Sequence, residues 1–197
     1  MSDLETIAVY NEKVKDYVRS LAPFASKDPL IDEFIAVCPR NGRVLDLGSG
    51  PGAYAERMAT SGLYVDAVDA SSEMIRHVPI HPRIRTQVAT FDAISAHSIY
   101  DGVWAYFSLL HASRAAFERH LHAIQSALKP KAVFFLAMKV GQGHRRDTLG
   151  RYYEYYAPDE LKCSLTAAGL APRRRWTGVS VGLSGESDHW IALESYA

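Results

Sequence analysis

The chain has 197 residues, of which 48% are hydrophobic and 22% are charged, which is ordinary for a globular protein with a substantial core. Its 22 basic residues balance its 22 acidic ones, and this balance argues against a protein that grips nucleic acid by its phosphates. The two cysteines, Cys38 and Cys163, form neither a disulfide framework nor a zinc-ribbon pattern, and no metal site is expected.

The chain begins with an acidic segment and two helical patterns. Its first five residues contain no apolar run, so no secretory signal is expected. Apolar residues recur at helical spacing from Tyr10 to Leu21, and Pro23 marks the expected end of that helix. A second apolar helix is expected around Phe34 and is closed by Pro39.

From residue 43 onward, short β-type runs alternate with helical segments. Strands are expected at residues 43–47, 63–68, 84–88, 100–107 and 133–138. Helices are expected at residues 53–61, 71–79, 113–128 and 158–169. Such alternation predicts a doubly wound α/β fold, with a parallel sheet covered by helices on both faces. Two last runs, 174–181 and 189–196, are joined by a glycine-bearing loop and predict a closing antiparallel hairpin.

The most informative segment is the glycine-rich turn Gly48–Gly52, at the end of the first predicted strand. Glycines there let the chain turn sharply and let the backbone approach a ligand closely. The helix that follows would direct its free N–H groups and positive dipole end at that ligand. Asp69 ends the second strand, 21 residues after Gly48, where an acid can accept hydrogen bonds from ribose hydroxyls. The sequence therefore predicts a nucleoside ligand at the switch point of the sheet.

Two classes of cofactor fit this geometry. The run Gly48–Ala53 also satisfies the dinucleotide fingerprint, so an NAD(P)-dependent oxidoreductase is one alternative. A module that binds its cofactor but does not catalyse a reaction is a second alternative. The cofactor-binding residues would be intact in such a module as well as in an active enzyme.

The segment Asp46–Gly52 resembles the signature of class I S-adenosylmethionine-dependent methyltransferases, in which an acid stands two residues before a Gly-x-Gly-x-Gly turn. The resemblance covers about residues 40 to 196 and includes four further segments: 65–71, 90–92, 100–104 and 128–130. Within this family, the chain is similar to small bacterial stand-alone members, including the tellurite-resistance-like group. It implies a Rossmann-like fold of seven mostly parallel strands. The single domain would then consist of an N-terminal helical lid, residues 1–40, and a core, residues 41–197.

The resemblance also implies which residues bind S-adenosylmethionine. Asp46 would hold the amino end of the methionine part, and Asp69 both ribose hydroxyls. Met74 and Phe91 would enclose the adenine, while Asp92 would either accept from its amine or cap a short helix. The implied cofactor residues, of which the last two would line the sulfonium side, are Tyr10, Asp46, Gly48, Ser49, Gly50, Gly52, Asp69, Ala70, Met74, Phe91, Asp92, Ala105 and Phe107.

The acceptor side carries no strong catalytic pattern. Methyl transfer mainly needs alignment and exclusion of water, and a general base is needed only if the acceptor must lose a proton. His111 is a candidate base, with packing and hydrogen bonding as the alternative. Lys139, the second catalytic candidate, opens the loop 139–147, which is either a lid that grips an anionic substrate or a solvated loop. The tyrosines of residues 152–156 would either pack over an acceptor or be ordinary half-buried side chains.

The partners are predicted from what the chain lacks. Its small size leaves no separate domain for recognising a macromolecule, so a small-molecule acceptor is expected and nucleic acid is not. The longest apolar run, residues 132–138, is too short to span a bilayer, so no membrane partner and a cytoplasmic location are expected. The oligomeric state is left open.

Overall fold

The computed structural model describes residues 3–197, without the side chains of residues 21–23. Its helices are Leu4–Glu12 (α1), Val14–Ala25 (α2), Pro29–Val37 (α3), Ala53–Thr60 (α4), Ser72–Arg76 (α5), Arg114–Ala127 (α6) and Pro158–Ala167 (α7). Its strands are Arg43–Leu47 (β1), Tyr64–Asp69 (β2), Ile84–Val88 (β3), Tyr100–Tyr106 (β4), Leu128–Lys139 (β5), His144–Arg146 (β6), Tyr152–Glu154 (β7), Ala171–Val181 (β8) and Ser187–Tyr196 (β9).

Seven of these strands form one sheet in the order β3-β2-β1-β4-β5-β9-β8. The first five are parallel, β9 runs antiparallel to β5, and β8 pairs antiparallel with β9. The order reverses between β1 and β4, so a crevice opens beyond their carboxyl ends, where such folds bind ligands. The predicted mostly parallel seven-stranded sheet with a C-terminal hairpin is confirmed.

The sheet is covered on both faces, as the unbroken apolar run of β5 predicts. Phe134 and Leu136 belong to one buried cluster with the α6 residue Phe117, whereas Phe135 belongs to a second with the α3 residue Phe34. Since neighbouring strand residues point to opposite faces, β5 lies at the centre of both core layers.

The N-terminal region differs from the single helix expected between Tyr10 and Pro23. The chain forms two helices there, with Lys13 as the C-cap of α1, and α2 continues to Ala25. The side chains of Leu21 and Pro23, on which the expected face and end depended, lie outside the described residues. Periodicity did not reveal the break, because apolar spacing carries no information about a single residue that leaves the helical conformation.

The helices of the segment expected to form a lid, residues 1–40, lie in different places. α1 and α2 border the crevice, whereas α3 is part of the core, with Phe34 fully buried against Trp104 and Phe135. Another difference is the two-stranded sheet of β6 and β7, which no pattern predicted because each strand is only three residues long. No helix among residues 3–197 is long and apolar enough to cross a membrane.

Candidate functional site

Two adjoining cavities lie beyond the carboxyl ends of β1, β2 and β4. The first has about 750 Å³ of empty space beneath α1, and the second has about 1210 Å³ between α2, β5 and the β8–β9 hairpin. Both volumes include space that is open to solvent. The residues that line both cavities are Tyr10, Tyr17, Gly48, Tyr106 and Phe107. A ligand in one cavity would therefore meet a ligand in the other at this ring of residues.

The glycine turn forms one wall of the first cavity. Gly48 and Gly50 have φ angles of +76° and +55°, a left-handed conformation that side chains disfavour. An ideal Cβ on Gly50 would meet only Cε1 of Tyr17, at 3.3 Å, so the backbone at Gly50 faces open space. Gly48 is crowded instead, because its Cβ would lie 2.3 Å from Cβ of Ser108. Glycine is thus required at both positions, for ligand access at Gly50 and for packing at Gly48.

Two buried carboxylates flank this turn. Asp69 accepts hydrogen bonds from the backbone N–H groups of Gly50 and Ser71, both at 2.8 Å, and burial raises its pKa. Asp46 is 2% exposed, and its Oδ2 has no hydrogen-bond partner among the described residues. Burial, and then the negative charge of Asp69, raise the pKa of Asp46 to about 8. The pair therefore offers a cationic ligand group a negative charge that no described side chain neutralises.

Part of the first cavity is an apolar slot. Met74 is 1% exposed and lines it together with Phe91, whose ring meets that of His120 edge-on at 5.7 Å. Burial lowers the pKa of His120. Such a slot suits a planar heteroaromatic ring.

The helix α1 covers the first cavity and is fastened along its length. Asp3 caps the helix and also pairs with Arg146, at 2.8 Å. Thr6 accepts a hydrogen bond from the backbone N–H of Tyr152, at 2.8 Å. Asn11 accepts one from the hydroxyl of Ser71, at 2.6 Å. The helix is thus tied both to β6–β7 and to the helix that follows Asp69.

A chain of hydrogen bonds connects α1 to the region after β4. Nδ1 of His111 lies 2.6 Å from the carbonyl oxygen of Tyr152, and Nε2 lies 2.9 Å from the hydroxyl of Tyr10. That hydroxyl also accepts a hydrogen bond from Arg151, at 3.1 Å. Arg151 and Asp147 form a buried ion pair, with side chains 3% and 2% exposed. Burial lowers the pKa of His111 to about 4, so its imidazole is neutral at physiological pH.

Aromatic side chains form the walls of the second cavity. Tyr106 stacks on Trp104, with ring centroids 4.8 Å apart, and lies 5.2 Å from Tyr54. On the opposite wall Trp190 meets Phe107 edge-on at 6.2 Å. The ring of Trp190 lies across Gly178, where a Cβ would come within 2.4 Å of it. Glycine in β8 therefore lets this indole pack closely against that strand.

One cation reaches the second cavity from β5. Nζ of Lys139 lies 2.6 Å from Asp188 and 3.8 Å from the ring centroid of Tyr153. Its side chain is only 11% exposed. An ammonium group has three N–H donors, so Lys139 retains hydrogen-bonding capacity towards the cavity.

The structure brings most of the predicted site residues together. Those that line one or both cavities are Tyr10, Asp46, Gly48, Ser49, Gly50, Asp69, Ala70, Met74, Phe91, Phe107, His111 and Lys139.

Gly52, Asp92 and Ala105 line neither cavity. Gly52 is the N-cap of α4 and packs on Val78, with φ +82°. Ala105 is fully buried in the core, because its side chain points to the opposite sheet face from those of Trp104 and Tyr106. Asp92 lies within the 3₁₀ turn Phe91–Ala93, with Oδ1 3.9 Å from Nε2 of His120; the cap of that turn is Thr90.

Several lining residues were not predicted as site residues. They include Tyr106, His120, Arg151, Tyr153, Asp188 and Trp190. Tyr153 belongs to the tyrosine run 152–156, where packing over an acceptor was one of the two interpretations. Tyr106 is an aromatic residue at the carboxyl end of β4, and this position is the signal by which it could have been found. Asp188 and Trp190 reach the cavity through the pairing of β9 with β5, and this register was not predicted.

Comparison with known proteins gives the family. The sequence profile of the family described as "Methyltransferase domain" matches residues 11–172. A ubiquinone biosynthesis O-methyltransferase of Xanthomonas axonopodis pv. citri is 24% identical over 191 residues, covering 86% of this chain and 80% of that protein. One from Ralstonia nicotianae is 23% identical over 192 residues, covering 87% of this chain and 74% of that protein.

Two crystal structures show the same fold. One is the 1,6-didemethyltoxoflavin-N1-methyltransferase of Burkholderia thailandensis with bound 1,6-didemethyltoxoflavin and S-adenosylhomocysteine. It has a TM-score of 0.70 and 20% identity, covering 96% of this chain and 87% of that one. A methyltransferase from Methanosarcina mazei has a TM-score of 0.73 and 18% identity, covering 85% and 96%. The chain therefore belongs to the methyltransferase-domain family.

Proposed function

We propose that this protein transfers a methyl group from S-adenosylmethionine to a hydroxyl group of a small, planar aromatic acceptor. The observation that carries the proposal is the aromatic-walled second cavity, which joins the first cavity at Tyr10, Tyr17 and Phe107. The cofactor would occupy the first cavity and the acceptor the second. Membership of the methyltransferase-domain family argues against a nicotinamide-dependent oxidoreductase. The experiment below therefore tests the identity of the acceptor.

The residues of the first cavity, together with Asp46 of the adjoining second cavity, fit S-adenosylmethionine. The unpartnered Oδ2 of Asp46 suits the cofactor's ammonium group, and Asp69 suits the ribose hydroxyls. The apolar slot between Met74 and Phe91 suits adenine, and the open backbone at Gly50 admits the methionine part. When bound, this cofactor supplies a methyl group already activated by a sulfonium. The protein's own contribution is to orient the two ligands and to exclude water beneath α1.

The raised pKa of Asp46 makes cofactor affinity depend on pH. Below about pH 8 the free protein holds Asp46 protonated, and an ammonium ligand favours the ionised form, so binding must release that proton. Affinity for S-adenosylhomocysteine should therefore rise by up to about tenfold per pH unit towards pH 8 and then level off. Calorimetry in buffers of different ionisation enthalpy measures both the affinity and the released proton.

The matched control is Asp46→Asn, which keeps the shape of the side chain and cannot ionise. Its affinity should not vary between about pH 6 and pH 8, and its binding should release no proton. If the wild-type protein also binds with equal affinity across this range, ligand binding does not change the protonation of Asp46, and the proposed coupling is wrong.

The second cavity suits a planar acceptor for two physical reasons. Rings stacked or set edge-on around a cavity favour another flat ring, because their faces and edges carry opposite partial charges. The walls provide both arrangements, with Trp104 and Tyr106 stacked and Phe107 edge-on to Trp190. The ammonium of Lys139 can donate a hydrogen bond to the acceptor hydroxyl oxygen and so help to orient it.

The comparisons support the same kind of acceptor. Two relatives are named O-methyltransferases, and a protein of the same fold is described with the small molecule 1,6-didemethyltoxoflavin bound. The narrower predictions remain predictions: membership of the tellurite-resistance-like group, a cytoplasmic location, and the absence of nucleic-acid and membrane partners.

A panel of acceptors tests the proposal by the release of S-adenosylhomocysteine. Catechol and hydroxybenzoates should be methylated on oxygen, whereas ethanolamine and aliphatic alcohols should not. Turnover of the aliphatic compounds alone would contradict an aromatic acceptor. Cofactor binding without turnover of any compound would instead favour the catalytically silent binding module.

A further inference from the structure

The position and bonding of one hydroxyl suggest a catalytic role. Tyr10, Tyr17 and Tyr106 all line both cavities. Tyr106 has its hydroxyl hydrogen-bonded to Asp28, away from the junction. Within residues 3–197 Tyr10 is the one of the three that is hydrogen-bonded to a neutral imidazole, at 2.9 Å. It is therefore placed to exchange a proton between an acceptor and a base that the acceptor does not touch.

The partners of this hydroxyl fix the direction of its hydrogen bonds. A carbonyl oxygen only accepts, so the 2.6 Å contact with Tyr152 requires a proton on Nδ1 of His111. The neutral ring then has a lone pair on Nε2, which accepts the proton of Tyr10. Arg151 only donates, so at 3.1 Å it contributes an N–H group to the phenol oxygen. The hydroxyl of Tyr153, which lines the second cavity, also hydrogen-bonds to that oxygen, and an acceptor hydroxyl in this cavity would take its place.

The same contacts leave His111 without a free ring nitrogen. Both of its nitrogens are engaged, one by Tyr152 and one by Tyr10. A direct general-base role for His111, the candidate from the sequence, would require one of these bonds to break. An indirect role requires neither to break.

We propose that Tyr10 is a catalytic residue, whose phenol oxygen takes the proton of the acceptor hydroxyl while its own proton passes to Nε2 of His111. This rests on the proposed hydroxyl acceptor. The acceptor O–H bond breaks, and its electron pair stays on the acceptor oxygen, which becomes the nucleophile. Tyr10 ends as a neutral phenol and His111 as an imidazolium, which returns the proton to water after the product leaves.

A weakly basic imidazole is sufficient for this relay. The acceptor oxygen loses electron density as it attacks carbon, so its proton becomes strongly acidic during the reaction rather than before it. Proton transfer to a positioned group at that moment typically contributes about a hundredfold or more to the rate. His111 and Arg151 act through Tyr10 and are positioning residues.

Tyr10→Phe tests the proposal, because it keeps the ring and removes only the hydroxyl. With catechol as the acceptor probe, kcat should fall about a hundredfold while KM changes little. With thiophenol, which gives up its proton to water near neutral pH, kcat should stay close to the wild-type value. Calorimetry should find the affinity for S-adenosylhomocysteine within about threefold of wild type. The matched control is Tyr100→Phe. In the wild-type protein the hydroxyl of Tyr100 bonds to Asp66, outside both cavities.

The outcomes separate the relay from the proposed function. Equal loss with both probes would show a merely structural role for Tyr10, and no loss with catechol would show no catalytic role. If the wild-type protein binds the cofactor but methylates neither probe, the proposed function is wrong and nitrogen NMR of His111 tests the relay alone. A proton on Nδ1 with Nε2 bare supports the relay, whereas a proton on Nε2 overturns it.

Discussion

Asp69→Ala should weaken the binding of S-adenosylhomocysteine by about 10- to 100-fold, equivalent to about 1–3 kcal/mol. The carboxylate of Asp69 is held in place by the N–H groups of Gly50 and Ser71, each at 2.8 Å. Its removal deprives the ribose of a charged acceptor and leaves the glycine turn without its support. Calorimetry well above the pKa of Asp46, which is about 8, measures the loss with that residue ionised in both proteins.

The control for this prediction is Asp66→Ala on the same strand. Asp66 accepts hydrogen bonds from Arg43, at 2.9 Å, and from Tyr100, at 2.9 Å, and lines neither cavity. Loss of Asp66 should lower the melting temperature and leave cofactor affinity within about threefold. An Asp69 variant that binds as tightly as the wild type would mean that the ribose lies elsewhere.

The part of the site that depends on local sequence could be predicted. A glycine turn needs residues that tolerate positive φ, as Gly48 and Gly50 do. The turn follows β1 and Asp69 ends the parallel strand β2, so the distance between them along the chain is nearly fixed. Such constraints act within one β-α-β unit and leave a pattern in the chain. The strands themselves were predictable for the same reason, since the run within β5 is apolar on both faces.

The acceptor side could not be predicted, because its residues come together only in the folded sheet. Trp190 reaches the second cavity from β9, whose register is set by pairing with β5. The position of its ring requires that Gly178 has no side chain. Ala105 was assigned to the cofactor site, but its strand places it on the opposite face, in the core. A shift of one residue in strand register reverses which side chains face a site, and spacing along one strand does not resolve it.

Arg151→Met should have the largest effect on stability, a loss of about 3–5 kcal/mol. Arg151 donates two hydrogen bonds to Oδ2 of Asp147, at 2.9 and 2.7 Å, and both side chains are almost fully buried. Burial alone would raise the pKa of Asp147, but the hydrogen bonds and charge of Arg151 outweigh it and lower that pKa. Without the guanidinium, a carboxylate is left in the interior with only backbone donors. In a chain of this size the melting temperature should fall by about 10 °C at pH 7.

Two comparisons isolate the buried charge as the cause. Arg76→Met breaks an exposed ion pair with Glu73 and should cost less than about 1 kcal/mol. Adding Asp147→Asn to Arg151→Met removes the stranded charge and should recover part of the stability, because Oδ1 of residue 147 can still accept from the backbone of Leu149. The loss in Arg151→Met should also be smaller at an acidic pH than at pH 7, because burial without the guanidinium raises the pKa of Asp147, and protonation then removes the stranded charge. A loss that is equal at both pH values and in the double variant would assign the effect to packing alone.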